Sequence, residues 1–498
     1  MELIQAVLWP AIIAGVTFLL LAAGRNRSSG DRPLPPGPTP LPVLGNLLEL
    51  GHSPHRSLAK LSKLYGPVMA LKLGQIQTVV ISSSTFAGEA LQTKDRVLSG
   101  RHLPAAIKVL GHHEVSQAWL PPNREWKLLR SLMRTHLSNC QSLDANQRLR
   151  RQKVRDLVSY IKGQSNKAVD VGRAAFCTVL NLISTTCFSI DMVDLNSDSS
   201  QEFRDLVWGI MEDAGKPNLA DFFPVLAAVD PHGCRRRNAA HFRKIFEIFD
   251  RIIDRRLEEQ GNGEKGDILD ALLQHFRDDN PKLSRRIIKS FLLDVFVAGT
   301  ETSSTTLEWA MAELLRNPAH LEKTRAEIAE AVGFDREVEE SDISKLPFLQ
   351  AVVKETLRLH APVPLLLPHR AEEETELGGY RVPKHSQVLV NAWAIGRDGR
   401  TWENPDEFLP ERFAGREVDF RGQHFELLPF GSGRRICPGM QLGLRMVHLM
   451  LASLVQSFRW KLPGEMKPAE LDLTEKFGVT LALASPLKAV AVPIEHRG

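Results

Sequence analysis

The sequence of 498 residues predicts one large, mainly α-helical domain with a minor β portion. Several long stretches repeat apolar residues at the i, i+3, i+4 spacing of helices that pack on a core. Runs rich in β-branched residues are short and lie mostly near the start and the end of the chain. Because no internal repeat and no clear linker follows Asn46, residues 47–498 are expected to form a single domain.

The spacing of apolar residues predicts where the main elements lie. The predicted helices cover residues 148–161, 201–214, 241–259, 268–276, 286–316 and 349–360. The segments "VMALKLG" and "TVVIS" flank a Gly-Gln turn, which predicts a β-hairpin. The later segments "QVLVNAW" and "KAVAVPI" predict two further strands.

The composition excludes several classes of protein. Apolar residues make up 43% of the chain and charged residues 24%, as in ordinary globular proteins. The net charge of +4 is too small to indicate a nucleic-acid partner, although a local basic patch is compatible with it. The cysteines are few, odd in number and widely spaced, which indicates a reducing compartment rather than a disulfide framework. They are Cys140, Cys177, Cys187, Cys234 and Cys437.

The N-terminus predicts a membrane anchor followed by a stiff arm. Residues 4–23 are apolar, carry no charge and have about the length that spans a bilayer. Arg25 and Arg27 follow the apolar run directly, which places the rest of the chain in the cytosol. A cleaved signal peptide, the alternative, would have positive charge before the run, where the only charged residue is Glu2. The anchor is therefore expected at residues 1–24. The basic, proline-dense residues 25–46 predict an extended linker arm on the edge of the domain.

The stretch "FGSGRRICPG", residues 430–439, combines a lone cysteine with glycines and two arginines. The apolar run after it predicts a helix, so Cys437 lies just before a helix N-terminus, where the dipole and the free N–H groups stabilise a thiolate. No second cysteine or histidine stands at zinc or iron–sulfur spacing. A single thiolate on a glycine-padded loop suits an axial ligand of a haem iron, with an arginine for a propionate. The alternative is a cysteine that only fills the core.

The full pattern Phe-x-x-Gly-x-Arg-x-Cys-x-Gly decides between these alternatives. Phe430, Gly433, Arg435, Cys437 and Gly439 match it without a departure, and the sequence thereby resembles the cytochrome P-450 family of haem-thiolate monooxygenases. The resemblance implies the cytochrome P-450 fold, haem b as the cofactor and Cys437 as the axial ligand of its iron. NADPH would act only indirectly, through a separate reductase.

A second segment, "AGTETS" at residues 298–303, is similar to the oxygen-activation motif of that family. Glu301 and Thr302 interrupt an apolar helix, and polar groups in such a place need a partner or a function. The resemblance implies that Thr302 holds dioxygen and an ordered water, and that Glu301 relays protons. The alternative is a hydroxyl bonded back to its own helix.

Other positions that match the family imply haem contacts and a structural network. The segment "WKLLR" and His369 stand where the family reaches the haem propionates. The expected cofactor-binding residues are Trp126, Arg130, Ala298, Gly299, His369, Phe430, Gly431, Arg435 and Gly439. In "KETLRLH" and "PERF" the resemblance implies a buried network that holds the fold around the haem, formed by Glu355, Arg358 and Arg412.

The resemblance also places a substrate pocket above the haem. By motif position the walls include Asp294, Val295, Ala298, Val363, Leu366 and Val479, with residues 102–120 as a covering loop. These walls are mostly aliphatic, which suits an apolar, terpene-like substrate. Asp294 is the exception, since it either binds a substrate hydroxyl or faces a neighbouring loop as a hydrogen-bonded helix residue.

Whole phrases of the sequence are similar to plant microsomal members, in particular the subgroup of geraniol hydroxylases and diterpenoid hydroxylases. The resemblance implies hydroxylation of a C–H bond of a mono- or diterpenoid at the endoplasmic reticulum membrane, with a single N-terminal pass. The implied partners are dioxygen, membrane lipid and an NADPH–cytochrome P-450 reductase. A basic patch on the cysteine side would attract the reductase, formed by Lys127, Arg130, Arg134, Arg434 and Arg445. A phenylpropanoid or alkaloid substrate, and an isomerase that needs no dioxygen, are the alternatives.

Overall fold

The computed structural model describes residues 32–164, 166–197, 199–259, 265–277 and 283–494. The predicted anchor at residues 1–24 and the first part of the arm, residues 25–31, lie outside the described residues. Within them the chain is mainly helical with short strands, as the sequence predicts.

The helices of the described residues include every predicted helix and add others that were not predicted, such as Val171–Phe188 and Pro318–Ala331. In chain order they are α1 (Pro54–Tyr65), α2 (Ser84–Gly88), α3 (Asp95–Leu98), α4 (Arg124–Met133), α5 (Cys140–Ala145), α6 (Gln147–Gly163), α7 (Val171–Phe188), α8 (Ser199–Gly215), α9 (Leu219–Phe222), α10 (Cys234–Glu258), α11 (Ile268–Arg277), α12 (Arg285–Arg316), α13 (Pro318–Ala331), α14 (Pro347–Leu359), α15 (Ala392–Ile395) and α16 (Met440–Ser457).

The largest difference in bounds is at α10, which begins at Cys234 rather than at residue 241. Its first turns carry arginines, which hide the apolar spacing in the sequence. The Asp230 carboxylate accepts hydrogen bonds from the backbone N–H groups of Arg235 and Arg236 at 3.3 and 3.0 Å, and these contacts hold the helix start.

The strands form small sheets around the helical core. They are β1 (Val68–Leu73), β2 (Ile76–Ile81), β3 (Gly100–Arg101), β4 (Ala168–Asp170), β5 (His369–Arg370), β6 (Thr375–Leu377), β7 (Tyr380–Val382), β8 (Gln387–Val390), β9 (Phe458–Lys461), β10 (Glu475–Phe477), β11 (Leu481–Leu483) and β12 (Lys488–Pro493). The largest sheet has the order β1-β2-β8-β5-β3, and its β1–β2 pair is the predicted hairpin. A second sheet has the order β4-β12-β9, and β10–β11 and β6–β7 are separate antiparallel pairs.

Helix α12 crosses the hydrophobic core, and most of its side chains are buried. Helix α7 packs along α12 with Gly172 at the contact, where an added Cβ would lie 2.5 Å from the Glu308 carboxyl group. Helix α7 is apolar and long enough to cross a membrane, but 83% of it is buried inside the protein. We therefore assign α7 to the core of the domain.

The described part of the proline-rich arm packs against the edge of the largest sheet. The Pro36 carbonyl accepts a hydrogen bond from the Ala70 N–H at 2.9 Å. The Asn46 side chain bonds both the Pro38 carbonyl and the Lys72 N–H. Gly45 has a φ of +62°, and a Cβ there would lie 1.9 Å from the Lys72 carbonyl oxygen. The arm is thus held on β1 by backbone contacts that leave no room for larger residues.

Candidate active site

A cavity of about 330 Å³ lies between α12 and the loop that carries Cys437. We call the side with Cys437 the floor, formed by the loop of residues 429–439 and the cationic side chains beside it. The opposite side, the roof, is formed by residues 102–120 together with parts of α8, α10 and α12. The residues on the roof are mostly apolar, whereas cations and hydroxyl groups are concentrated near the floor.

Backbone contacts fix the loop around Cys437. Gly431 and Gly433 have φ values of +66° and +64°, which favour glycine. A Cβ at Gly433 would lie 1.8 Å from the Leu91 carbonyl oxygen, so that position has no room for another residue. The Cys437 N–H donates to the Phe430 carbonyl at 2.9 Å, and this bond closes the loop below the cavity.

Opposing effects act on the Cys437 thiol. Burial raises its pKa, while the backbone N–H groups of Gly439 and Met440 and the charge of Arg130 act in the opposite direction. These two N–H groups lie at the start of α16, where the sequence predicts stabilisation of a thiolate. The thiol faces a cavity that holds no second cysteine among the described residues.

Three buried or partly buried guanidinium groups meet beside the floor. Arg435 donates to the carbonyls of Ser99 at 2.8 Å and Leu120 at 2.5 Å. Arg130 donates to the Ile436 carbonyl at 2.5 Å. The third group belongs to Arg101, at the end of β3, which the sequence analysis missed. All three line the cavity.

The charges of these cations oppose one another. Burial and the neighbouring Arg130 lower the pKa of Arg435 to about 10. Burial, followed by the charges of Arg435 and Arg130, lowers the pKa of Arg101 well below its usual range. Among the described residues no carboxylate is hydrogen-bonded to any of the three. Such a cluster needs an anion that the chain itself does not supply.

Trp126 and His369 complete this side of the cavity. The Trp126 ring does not line the cavity but lies under two of the cations, with its centroid 5.0 Å from Arg435 Cζ and 5.8 Å from Arg130 Cζ. Its Nε1 is buried with no hydrogen-bond partner among the described residues. His369 lines the cavity and bonds the Leu98 carbonyl through Nδ1 at 2.7 Å. Burial and then the charge of Arg101 lower its pKa well below the usual value.

The cations, the unpartnered indole N–H and the single thiol together fit a haem. Its propionates would neutralise the cations, and its iron would take the thiolate as ligand. A flat macrocycle needs a close approach of backbone, which the glycines of the floor provide.

On the opposite wall, α12 places Thr302, Ala298 and Gly299 on the cavity. The Thr302 hydroxyl donates to the Ala298 carbonyl at 2.7 Å, so the bond back to its own helix that the sequence left as an alternative is present. At Gly299 a Cβ would lie 2.7 Å from Ile183 Cδ1, the end of a flexible side chain that would have to move.

Glu301 lies on a different face of α12 from Thr302. It does not line the cavity, and its Oε1 accepts from the Thr305 hydroxyl at 3.4 Å. Its Oε2 is buried without a partner among the described residues. Burial raises the pKa of the Glu301 carboxyl group. The structure therefore does not bring the predicted acid and threonine together on one surface.

Asp294 joins α12 to the roof. Its carboxylate accepts from the Ser116 hydroxyl at 2.8 Å and from the Gln117 N–H at 2.8 Å, and it lies 3.3 Å from His112 Nε2. The Ala118 N–H is 3.4 Å away. Asp294 also lines the cavity, but its oxygens accept hydrogen bonds from the neighbouring loop. This is the predicted alternative in which Asp294 is a hydrogen-bonded helix residue that faces a loop.

The apolar walls include each of the other predicted pocket residues. Val295 comes from α12, Val363 and Leu366 from the segment after α14, and Val479 from the turn between β10 and β11. The structure adds Leu293 on α12 and walls that motif positions do not reveal because they come from other helices, namely Val179, Ile210, Met211 and Phe242.

The Glu355 carboxylate lies at the centre of a buried ionic network away from the cavity. Arg358 donates to its two oxygens at 2.7 and 2.8 Å, and Arg412 donates to one of them at 2.9 Å. Arg358 also donates to the carbonyls of Pro405 at 2.7 Å and Glu407 at 3.0 Å. The network ties α14 to the segment that precedes the floor.

Only part of the predicted basic patch is open. Lys127 and Arg134 are exposed, and Arg434, with half of its side chain exposed, lies 3.2 Å from Asp95. Arg445 instead pairs with Asp144 and Glu340, and Arg130 is directed to the floor. Of the predicted patch, the exposed members are therefore Lys127, Arg134 and Arg434.

A lone cysteine below an apolar cavity, with a cluster of unneutralised cations beside it, defines the class of haem-thiolate proteins. A family model described as Cytochrome P450 matches residues 35–486, and the chain belongs to that family. It is thus a P450 monooxygenase, an enzyme with a haem-thiolate cofactor.

Known relatives cover nearly the whole chain. Geraniol 8-hydroxylase from Catharanthus roseus is 53% identical over 460 residues, which are 92% of this chain and 93% of that protein. Drimenol monooxygenase from Persicaria hydropiper is 46% identical, over 96% of this chain and 95% of that protein. Geranylhydroquinone 3''-hydroxylase from Arnebia euchroma is 45% identical, over 97% and 98%.

Proposed function

We propose that this monooxygenase hydroxylates a C–H bond of an apolar mono- or diterpenoid. The observation that carries this proposal is the aliphatic wall above the floor, where Val179, Val295, Val363, Leu366 and Val479 face the cavity. Such a wall binds hydrocarbon surface and offers little to a polar aromatic substrate. The names of the relatives, which refer to geraniol, drimenol and geranylhydroquinone, support the same substrate class.

We assign the floor to the cofactor. Cys437 is the iron ligand, and Arg101, Arg130 and Arg435 neutralise the propionates with the indole N–H of Trp126. Protonated His369 also contacts the propionates. The negative charge of a bound propionate favours this protonation because it raises the pKa of His369. When bound, haem b supplies the activation of dioxygen. Phe430, Gly431 and Gly439 shape the surface on which it rests.

We assign proton handling to α12. Because the Thr302 hydroxyl hydrogen is donated to Ala298, its oxygen is left to accept a hydrogen bond from a water in the cavity. Glu301 is the proton reserve behind this wall, since burial raises its pKa and favours the protonated carboxyl group. In this assignment Thr302 positions the water and Glu301 replaces the proton that is used.

Electron delivery and membrane attachment complete the proposal. The exposed cations Lys127, Arg134 and Arg434 form a surface for the acidic face of a membrane-bound reductase. The apolar residues 1–24, outside the described residues, would anchor the chain in the endoplasmic reticulum membrane. The catalytic domain would then lie in the cytosol.

A turnover screen tests the substrate class. The full chain is expressed in microsomes with a plant reductase and supplied with NADPH and monoterpenoid, diterpenoid, phenylpropanoid or alkaloid substrates. An oxygenated terpenoid that is absent with Cys437→Ala supports the proposal. Products from the aromatic or alkaloid substrates alone would contradict the terpenoid assignment.

The role of Thr302 is tested by the coupling of NADPH consumption to product. Thr302→Ala should lower the ratio of product to NADPH several-fold, because the water would lose its acceptor. Thr306→Ala is the matched control, since Thr306 also lines the cavity and bonds back to its own helix, at the Thr302 carbonyl. Equal coupling in the two variants would remove the role assigned to Thr302.

A further inference from the structure

The roof of the cavity contains one side-chain amide that has no partner. Gln117 lines the cavity, is 6% exposed, and its carboxamide forms no hydrogen bond with any described residue. Most other polar side chains around the cavity are bonded, including Arg101, His369 and Thr302. Ser303 also has no recorded bond, but its hydroxyl lies beside Gly443 of α16, near the floor. His112 Nδ1 on the roof is also buried without a partner, but among the described residues Gln117 carries the only free carboxamide of the cavity lining.

The backbone of Gln117 is firmly held although its side chain is free. Its N–H donates to Asp294 Oδ2 at 2.8 Å, and the preceding Ser116 hydroxyl bonds the same carboxylate. On the other side, the Ala118 carbonyl accepts from Arg101 Nε at 3.3 Å. The segment is thus fixed at both ends, which presets the position of the amide before a ligand arrives.

A buried amide without a partner destabilises any complex in which the ligand excludes water from it. Its cost is about 1–3 kcal/mol, and water satisfies the group only while the cavity is wet. A pure hydrocarbon would displace that water and leave the amide unpaired. A substrate with a hydroxyl or carbonyl oxygen at this place would replace the water and retain the hydrogen bond.

The position of Gln117 along α12 relates this contact to the reacting atoms. Gln117 is bound at Asp294, which precedes Thr302 by two helical turns, or about 12 Å along the axis. This distance is comparable with the length of an extended monoterpenoid. Because Gln117 and Cys437 line the same cavity, an oxygen held at Gln117 leaves the opposite end of the molecule free to reach the floor.

We propose that Gln117 binds the hydroxyl or carbonyl oxygen of a substrate that is already oxygenated, and that oxidation occurs at the end remote from this oxygen. This inference rests on the proposed function, because it names the substrate within the same terpenoid class. It also implies that an earlier reaction supplies the free hydroxyl group, for example hydrolysis of a terpenyl ester or diphosphate. The hydrocarbon itself is then a poor substrate.

Ligand binding to the haem-loaded enzyme tests the inference without turnover. Dissociation constants are measured from the substrate-induced shift of the Soret band, for geraniol and for the hydrocarbon with the same skeleton and double bonds. The wild-type enzyme should bind the alcohol about tenfold more tightly than the hydrocarbon. Gln117→Leu should bring this ratio to about one, because it weakens binding of the alcohol and strengthens binding of the hydrocarbon.

Two further variants separate the amide from the shape of the cavity. Met211→Leu, an apolar change in the same cavity, should leave the ratio unchanged. Gln117→Asn keeps an amide but shortens it, and should lower the ratio only in part. The ferrous–carbon monoxide spectrum checks that each variant has loaded its haem.

If neither terpenoid binds, the terpenoid class is wrong. The dissociation constants are then compared for cinnamyl alcohol and its parent hydrocarbon. This second pair distinguishes failure of the substrate class from failure of this inference. A ratio near one for the wild-type enzyme in both pairs, or a ratio that Gln117→Leu leaves intact, overturns the role of Gln117. Undetectable binding of every alcohol overturns it as well.

Discussion

The floor and the roof of the cavity are built in opposite ways. At the floor, glycines with positive φ and tight backbone contacts fix a single loop, and an unneutralised cluster of cations surrounds it. At the roof, a long loop is held to α12 by the Asp294 carboxylate inside the cavity and by Arg286 near the start of the helix, among mainly aliphatic side chains. The floor is made for one invariable ligand, whereas the roof can change its apolar lining without loss of the fold. Chemistry is thus set below the cavity and substrate choice above it.

The largest effect is expected at the floor. Cys437→Ala removes the only thiol on the cavity among the described residues, and turnover should be lost completely because no other side chain there donates a thiolate. The ferrous–carbon monoxide spectrum should lose its thiolate-type band while the far-ultraviolet circular dichroism stays that of a helical protein. Retained turnover would show that the floor does not set the chemistry.

The next effect concerns the cations. Arg101→Gln should weaken haem binding by about tenfold to a hundredfold, because a charged hydrogen bond to a propionate is lost. Arg434→Gln is the matched control, since Arg434 neighbours Arg435 in sequence but is half exposed and pairs with Asp95. Haem content per protein and the rate of haem transfer to apomyoglobin are measured for both variants. Equal loss in the two variants would contradict a specific cation cluster.

The same contrast explains what could be predicted from the sequence. The helices, the hairpin and the Cys437 loop follow from local spacing, because apolar periodicity and glycine conformations are set within a few residues. Arg101 was missed because its role depends on β3 lying beside β5, a pairing between residues far apart in the chain. The position of Glu301 off the cavity could not be derived either, since one residue of rotation on a helix decides which face a side chain takes.

The roof was less predictable for the same reason. The partners of Asp294 lie 176 to 178 residues earlier in the chain, and no motif marks them. Residues 102–120 could be assigned as a cover by resemblance, but the free amide of Gln117 became visible only when most other polar groups of the cavity were found to have partners. Its signal in the sequence is one polar residue in a short loop, which is ordinary for a surface segment.

At the roof, Asp294→Asn should loosen the loop and leave the floor intact. The variant loses the charge that accepts from Ser116 and Gln117, at a cost of about 1.5–3 kcal/mol. Hydrogen exchange of residues 112–118 should become faster, and substrate affinity should fall, while haem content is unchanged. Ser116→Ala should show a smaller effect in the same direction. Unchanged exchange in both variants would mean that the carboxylate does not hold the roof.

The smallest expected effect is a pH dependence at the rim of the roof. The Asp221 carboxylate, on α9, accepts from the Ala105 N–H at 2.5 Å, and burial raises its pKa from 3.8 to about 6. The folded state therefore holds this proton more tightly than the unfolded chain, so this group lowers stability as pH rises between those two values. Asp221→Asn removes the titration, and its melting temperature should exceed that of the wild-type enzyme at about pH 7 but match it at about pH 4. If the melting temperatures of the two proteins change with pH in parallel, the charge at Asp221 does not destabilise the roof. The contrast with the charged floor would then rest on Asp294 alone.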